Sequence, residues 1–201
     1  MRIPDNIRIK RYKPKKLPII VEIVFFSSAI LFLIYIIFFG KDTLEFLKRK
    51  KLEMDLKNLQ SVLINYRKKY NFFAGDDPKA EERCPDGIYI LNGNGSNYIG
   101  DYRDEEEQAI RHLRCLKFLD GDFDEKYISY PKNPYGGIYK YSFVKINGKK
   151  YNVIKITNLD KKRMLEIDKD LDDGNLKTGK VRYLEEKRFN KKDNLLILII
   201  R

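Results

Sequence analysis

Leu17-Pro-Ile-Ile-Val-Glu22-Ile-Val-Phe-Phe-Ser-Ser-Ala-Ile-Leu-Phe-Leu-Ile-Tyr-Ile-Ile-Phe-Phe39 decides the architecture of this 201-residue chain. From Pro18 to Phe39 the run is long enough to cross a bilayer as a helix, which takes roughly 20 apolar residues. It exceeds the roughly 7–15 apolar residues of a secretory signal, and no small-x-small cleavage pattern follows Phe39. An anchor is therefore expected. Glu22 is the only charged residue inside the run. A carboxylate within such a span costs about 2.5–3.5 kcal/mol on insertion scales, so it calls for a specific partner. The alternative is that Glu22 lies close enough to the membrane surface to stay hydrated.

The flanks set an orientation. Residues 1–16 carry Arg2, Arg8, Lys10, Arg11, Lys13, Lys15 and Lys16 against the single acid Asp5. The far flank, with Lys41, Lys48, Arg49, Lys50 and Lys51, is more weakly basic so close to the span. By the positive-inside rule the N-terminus is expected in the cytoplasm and the chain beyond about residue 41 on the outer side. That predicts a single-pass protein of the cell inner membrane with a periplasmic or extracellular domain. The basic leader accounts for half of the formal net charge of +12. Topology and anionic lipid explain that half, so the charge is weak evidence for nucleic-acid binding. About 160 residues remain for one outer domain with a sizeable core.

Leu52, Leu56, Leu59, Leu63, Tyr66 and Tyr70 recur at spacings of four, three, four, three and four, with charged residues between them. Such a stripe predicts a helix with one apolar face. Packing on the chain's own sheet is preferred to a coiled coil, because few heptads are present and Tyr fills the last positions. If span and stripe are continuous, the helix covers 18–70, about 80 Å at 1.5 Å per residue. Residues 71–103 collect turn formers, among them Ala74-Gly-Asp-Asp-Pro78, Pro85-Asp-Gly87 and Asn92-Gly-Asn-Gly-Ser-Asn97. They predict a surface loop with one short strand at Ile88–Leu91. Asp104 to Leu119 follows as an amphipathic helix, opened by a capping-box pair of Asp104 and Glu107. Tyr139–Ile146 and Tyr151–Thr157 alternate around Asn147-Gly148, a strong hairpin signal. Met164–Leu171 is expected as a short helix, and Arg182–Leu184 and Leu195–Ile200 as further strands. The fold class is α+β: a basic cytoplasmic leader (1–16), a transmembrane helix (17–40), its amphipathic extension (41–70) and a globular domain with a small antiparallel sheet (71–201).

A basic leader, an acid at the fifth position of an apolar helix, a stripe extending from it and a C-terminal sheet together resemble the type IV pilin superfamily, which includes the pseudopilins of type II secretion. Asn71-Phe-Phe-Ala-Gly-Asp-Asp-Pro-Lys-Ala80, Asn92-Gly-Asn-Gly95, Glu106 to Leu116, Ile167-Asp-Lys-Asp-Leu-Asp-Asp-Gly174 and Thr178-Gly179 add to the likeness. The resemblance implies a structural subunit that assembles through its apolar helix. Its partners would be copies of itself or other pilin-like subunits, the inner membrane, and the assembly platform of a pilus or type II secretion machine. It also implies that Glu22 pairs with the amino terminus of a neighbour, exposed by cleavage between Leu17 and Pro18. The chain departs from the family pattern there, with Leu17 where glycine is expected and Pro18 in place of the usual Phe. A bulky residue before a proline is a poor cleavage site, so inefficient processing is expected.

Other chemistry is sparse. Cys84 and Cys115 are the only cysteines, and an oxidising outer compartment favours a disulfide between them, with two independent thiols as the alternative. Asp168, Asp170, Asp172 and Asp173 around Gly174 invite a calcium reading. Their spacing matches no EF-hand, so helix termination followed by a turn is preferred and no metal or cofactor is expected. His112, the only histidine, has no interpretable partner and is expected to be a surface or half-buried helix residue. No nucleophile elbow or phosphate-cradling loop occurs. An enzyme is not expected. The Lys/Tyr-rich segment Tyr127–Tyr151 has the composition of a single-strand-binding surface, but its alternation is that of a half-exposed hairpin, so nucleic acid is not expected as a partner. Beside the filament subunit stands one alternative: a single-pass membrane protein that never polymerises, its outer domain a binding module in an envelope complex.

Overall fold

The computed structural model describes residues 18–188 and 191–200; the leader 1–16 and Leu17 lie outside the described residues. The order of elements is α1 (Ile19–Tyr70), α2 (Ala80–Arg83), α3 (Glu105–Cys115), β1 (Tyr139–Ile146), β2 (Lys149–Ile156), α4 (Lys161–Leu171), β3 (Val181–Arg188) and β4 (Lys191–Ile199). The protein is thus α+β, with an apolar N-terminal helical stretch and a small antiparallel sheet. It divides into two compact units, Met1–Glu45 and Phe46–Arg201.

In the second unit the leucine stripe of α1 is core. Leu52, Leu56, Leu59, Leu63 and Tyr66 are buried against Tyr139, Tyr141, Ile154, Ile156, Val181 and Leu198 of the sheet and Met164 and Ile167 of α4, with Tyr70 partly buried beside them. Each buried leucine stabilises by about 1.5–3 kcal/mol, so the stripe alone fixes this helix on the sheet. Packing within the domain, rather than a coiled coil, is what the stripe serves. The Tyr141 hydroxyl donates to the Leu59 carbonyl at 2.8 Å and Tyr139 to Asp55 at 3.2 Å. Tyr141→Phe is expected to cost about 1 kcal/mol in a denaturant titration, the net worth of one buried hydrogen bond.

The sheet runs β1-β2-β4-β3 with every neighbouring pair antiparallel. Asn147 (φ 50°) and Gly148 (φ 80°) form the two-residue turn between β1 and β2, with positive φ at both positions as the twist of the strands requires. Period-two alternation splits the apolar residues between faces. Ile154, Ile156 and Leu198 meet α1, while Val144, Val153, Ile197 and Ile199 make a smaller cluster with Ile146, Tyr151 and Leu184. Because β4 pairs on both edges, its residues Ile197 to Ile199 are buried, which accounts for so apolar a stretch.

Five sequence expectations need correction. Ile88–Leu91 is not a strand. Its backbone is held instead by a side chain: Leu91 N–H donates to Gln108 Oε1 and Gln108 Nε2 donates to the Tyr89 carbonyl, both at 3.0 Å. Helix α3 stops at Cys115, not Leu119, because Lys117 turns left-handed (φ 61°) and Phe118 and Leu119 return their N–H groups to the Leu113 carbonyl. The capping box at its start does not form: the Asp104 side chain makes no cap bond and Glu107 pairs with Arg111 at 2.6 Å. The last two strands are longer than predicted, their outer halves pairing polar residues such as Glu185 with Asn194. Helix α4 begins three residues earlier than expected, where the Asp160 carboxylate accepts the Arg163 N–H.

Candidate functional site

In the first unit, Ile19–Ile36 is long and apolar enough to cross a membrane, and none of it is buried within the unit. Its two serine hydroxyls are satisfied by the helix itself: Ser27 donates to the Val24 carbonyl at 3.0 Å and Ser28 to the Phe25 carbonyl at 2.8 Å. Self-satisfied serines suit a helix in hydrocarbon, where unpaired polar groups are costly. Glu22 is different. It lies in the first turn of α1, exposed, and no hydrogen bond or ion pair reaches its carboxylate among the described residues. Pro18 is exposed and its carbonyl accepts the Val21 and Glu22 N–H groups; its expected cleavage partner Leu17 lies outside the described residues.

The second unit contains a polar device that the sequence does not announce. Helix α3 buries Glu105, Gln108, Arg111, His112 and Arg114 as well as its apolar residues. Each of these side chains grips loop backbone. Glu105 accepts from Gly100 N–H at 2.9 Å, Asn94 N–H at 3.2 Å and Tyr102 N–H at 3.3 Å. Arg111 donates to the Phe123 and Glu125 carbonyls at 2.8 Å, and Arg114 to those of Asp120 and Asp122 at 3.1 and 3.0 Å. Loops without ladders must find partners for their backbone groups, and α3 supplies them. His112, expected at the surface or half-buried, is fully buried. Gly75 N–H donates to its Nδ1 at 3.0 Å and its Nε2 lies 2.9 Å from the Leu91 carbonyl, an arrangement met by the Nε2–H tautomer. Burial pushes its pKa down to about 4.

Facing α3, Asp76 accepts Ser96 N–H at 2.8 Å and Asn97 N–H at 2.7 Å, and Asp77 accepts the Tyr66 hydroxyl at 2.7 Å and Arg83 at 3.0 Å. Burial raises the pKa of Asp76 and of Glu105 even so. Gly93 lies so close to the Asp76 backbone that any Cβ there would collide with it. The only signal for these buried acids in the sequence is their setting among Gly, Asn and Pro. Cys84 and Cys115 form a disulfide with Cα atoms 6.3 Å apart, linking the end of α2 to the end of α3. Ala80, Ile90, Leu116 and Phe123 pack around it.

Of the four aspartates near Gly174, Asp168, Asp172 and Asp173 converge, with one carboxylate oxygen from each within 4.8 Å of the others. Asp170 does not join them and faces Arg49 at 3.8 Å. Burial, followed by the charges of Asp173 and Asp172, raises the pKa of Asp168 to about 6. In the Lys/Tyr segment, Tyr139 and Tyr141 are core while Tyr127 is exposed, the pattern of a half-buried hairpin and its approach. Comparison with family models, curated proteins and solved structures finds no match for this chain.

Proposed function

We propose that the chain is a pilin-like or pseudopilin-like structural subunit, anchored by the apolar part of α1 and assembling through it into a filament or a secretion or DNA-uptake apparatus. One observation carries the reading: a single carboxylate, Glu22, in an apolar, unburied helical stretch whose two serine hydroxyls are satisfied internally. A carboxylate in lipid is stabilised by an ammonium or guanidinium from a neighbour. Two sources fit: the amino group that cleavage before Pro18 would free, and the basic residues of a neighbour's leader. The Phe46–Arg201 unit then forms the outer surface of the assembly.

The test is in-membrane cross-linking of the full chain with Glu22→Ala. Truncating one member of a desolvated charge pair costs about 2–5 kcal/mol, so cross-linked multimers should fall roughly 30-fold or more, and Glu22→Asp should restore part of them. Unchanged multimers in Glu22→Ala would end the proposal. The Leu17-Pro18 pair favours a second reading, a non-polymerising anchor whose outer unit binds partners in an envelope complex. Intact-mass measurement of membrane-extracted protein separates the two sources of positive charge, since a new terminus at Pro18 identifies the amine.

A further inference from the structure

We propose that a cleft between the β1–β2 turn, the start of α4 and β3 binds an anionic phospholipid. Lys145, Lys161, Lys177 and Arg182 would hold its head group, and Ile146, Leu176, Leu184 and Ile197 its hydrocarbon. The choice of a lipid rests on the reading that Ile19–Ile36 crosses a membrane; the charge and shape of the cleft do not.

The cleft has a volume of about 550 Å³, and its lining divides by chemistry. Ile197 is buried and Ile146, Leu176 and Leu184 are half-buried, which makes an apolar floor. Lys145, Lys161 and Lys177 are exposed around it, and among the described residues no hydrogen bond or ion pair reaches their ammonium groups. Arg182 joins them, its guanidinium fixed by donation from Nε to the Gly179 carbonyl at 2.9 Å. None of the described residues that line the cleft is acidic.

The fold does not account for this charge. Lys145 stands directly across from Lys150 in the β1–β2 ladder, and like charges so placed repel. Lys161, Lys162 and Arg163 open α4, whose first turn has no acid, at the end where the helix dipole disfavours cations. Asp160 pairs with Arg163 at 2.8 Å and with neither lysine. Cations that destabilise the fold locally, yet gather around one cleft, are accounted for by an anion that neutralises them.

The floor narrows the choice of anion. A free phosphate would satisfy the cations and leave the floor in water, whereas a phosphate ester that carries hydrocarbon satisfies both. The bilayer that the apolar part of α1 would cross supplies such a molecule at close quarters. From Phe39 to Phe46, where the second unit starts, the chain reaches at most about 25 Å. Within that unit Glu166 of α4 pairs with Arg49 at 3.5 Å, so Lys161 lies toward the tethered end. A lipid held there gives the outer unit a second attachment to the membrane.

The test is photolabelling of the full chain in phosphatidylcholine vesicles doped with phosphatidylglycerol that carries a photoreactive acyl chain. Peptide mapping should find label on 145–147 and 176–184, and on the apolar stretch of α1 as an internal standard. Lys177→Gln should lower the cleft label roughly fivefold, the worth of one cation near an anionic surface. Lys145→Gln/Lys161→Gln/Lys177→Gln should lower it roughly a hundredfold on the same scale, with label on α1 unchanged. The Tm of the triple variant should match or exceed the parent's; a lower Tm would mean that the lysines serve the fold, and overturns the inference. Label on α1 alone also overturns it and leaves the anchor standing, while label on neither overturns both. Label in the cleft alone keeps the lipid and removes the anchor. Equal labelling of the cleft by photoreactive phosphatidylcholine overturns the role of charge. Loss of the label in excess glycerol 3-phosphate makes the cleft a site for a soluble phosphate and overturns the lipid.

Discussion

The Cys84→Ala/Cys115→Ala double variant is expected to lose about 3–4 kcal/mol of folding stability, the loop-closure entropy of a cross-link spanning 31 residues. At roughly 2–4 °C per kcal/mol for a domain of this size, its Tm should drop by about 10 °C. The effect is large because of what the bridge encloses. Residues 85–103 form no helix or strand and are rich in Gly and Asn, so in the unfolded chain they would sample many conformations. Thermal melts of the oxidised protein, the reduced protein and the variant decide the matter. Reduced and oxidised samples melting together would mean that α3's side chains alone hold the loops. Peptide mapping without reductant should recover the two cysteines in one linked fragment.

Removing His112 should be comparably damaging. His112→Ala leaves the buried Gly75 N–H without a partner, at about 1–3 kcal/mol, removes the partner of the Leu91 carbonyl and opens a cavity where the buried ring stood. A total of about 3–5 kcal/mol is expected. The same residue makes a pH prediction. Burial disfavours the charged ring, so the folded protein resists charging it until about pH 4, and a proton on Nδ1 would also meet the Gly75 N–H that Nδ1 now accepts. The unfolded chain charges it near 6.5. Between those values the unfolded state binds more protons, so stability falls as pH falls. His112's contribution is complete above pH 6.5 and about 3 kcal/mol is lost by pH 4. Denaturant titrations of the parent and of His112→Leu over this range provide the check. A parent slope no steeper than the variant's would show that the buried ring does not carry the acid sensitivity.

Regular elements were legible where a periodic pattern had no competitor. The stripe from Leu52 to Tyr66 repeats at helical spacing and buries on that face. Asn147-Gly148 demanded a tight turn and makes one. The apolar run before Phe39 is helical and unburied within its unit, as its composition required. What escaped was every element whose partners are side chains meeting backbone. Helix α3 reads Glu-Glu-Glu-Gln-Ala-Ile-Arg-His-Leu-Arg-Cys, which suggests a mostly wet helix with a narrow apolar edge. Its polar residues are instead buried, because the loops at 89–102 and 120–126 need donors and acceptors that no strand provides. Ile88–Leu91 looked like a strand for the same reason: Gln108 does for it what a neighbouring strand would have done. The ends of β3 and β4 are polar and carry no alternation, so only their pairing register reveals them. Burial of Asp168 was equally hidden, since an aspartate before a turn ordinarily marks a helix end and nothing more.

Strand β4 emerges from the ribosome after all seven other elements, yet it lies between β2 and β3. Until it arrives, β2 and β3 present unfilled edges, and such edges invite pairing with other chains. The cystine loop and the β1–β2 hairpin can close earlier, because all their residues precede it. Nascent-chain arrest before Leu195 should therefore yield a knotted-down amino-proximal half beside an open sheet, vulnerable to protease and to self-association until the final strand slots home.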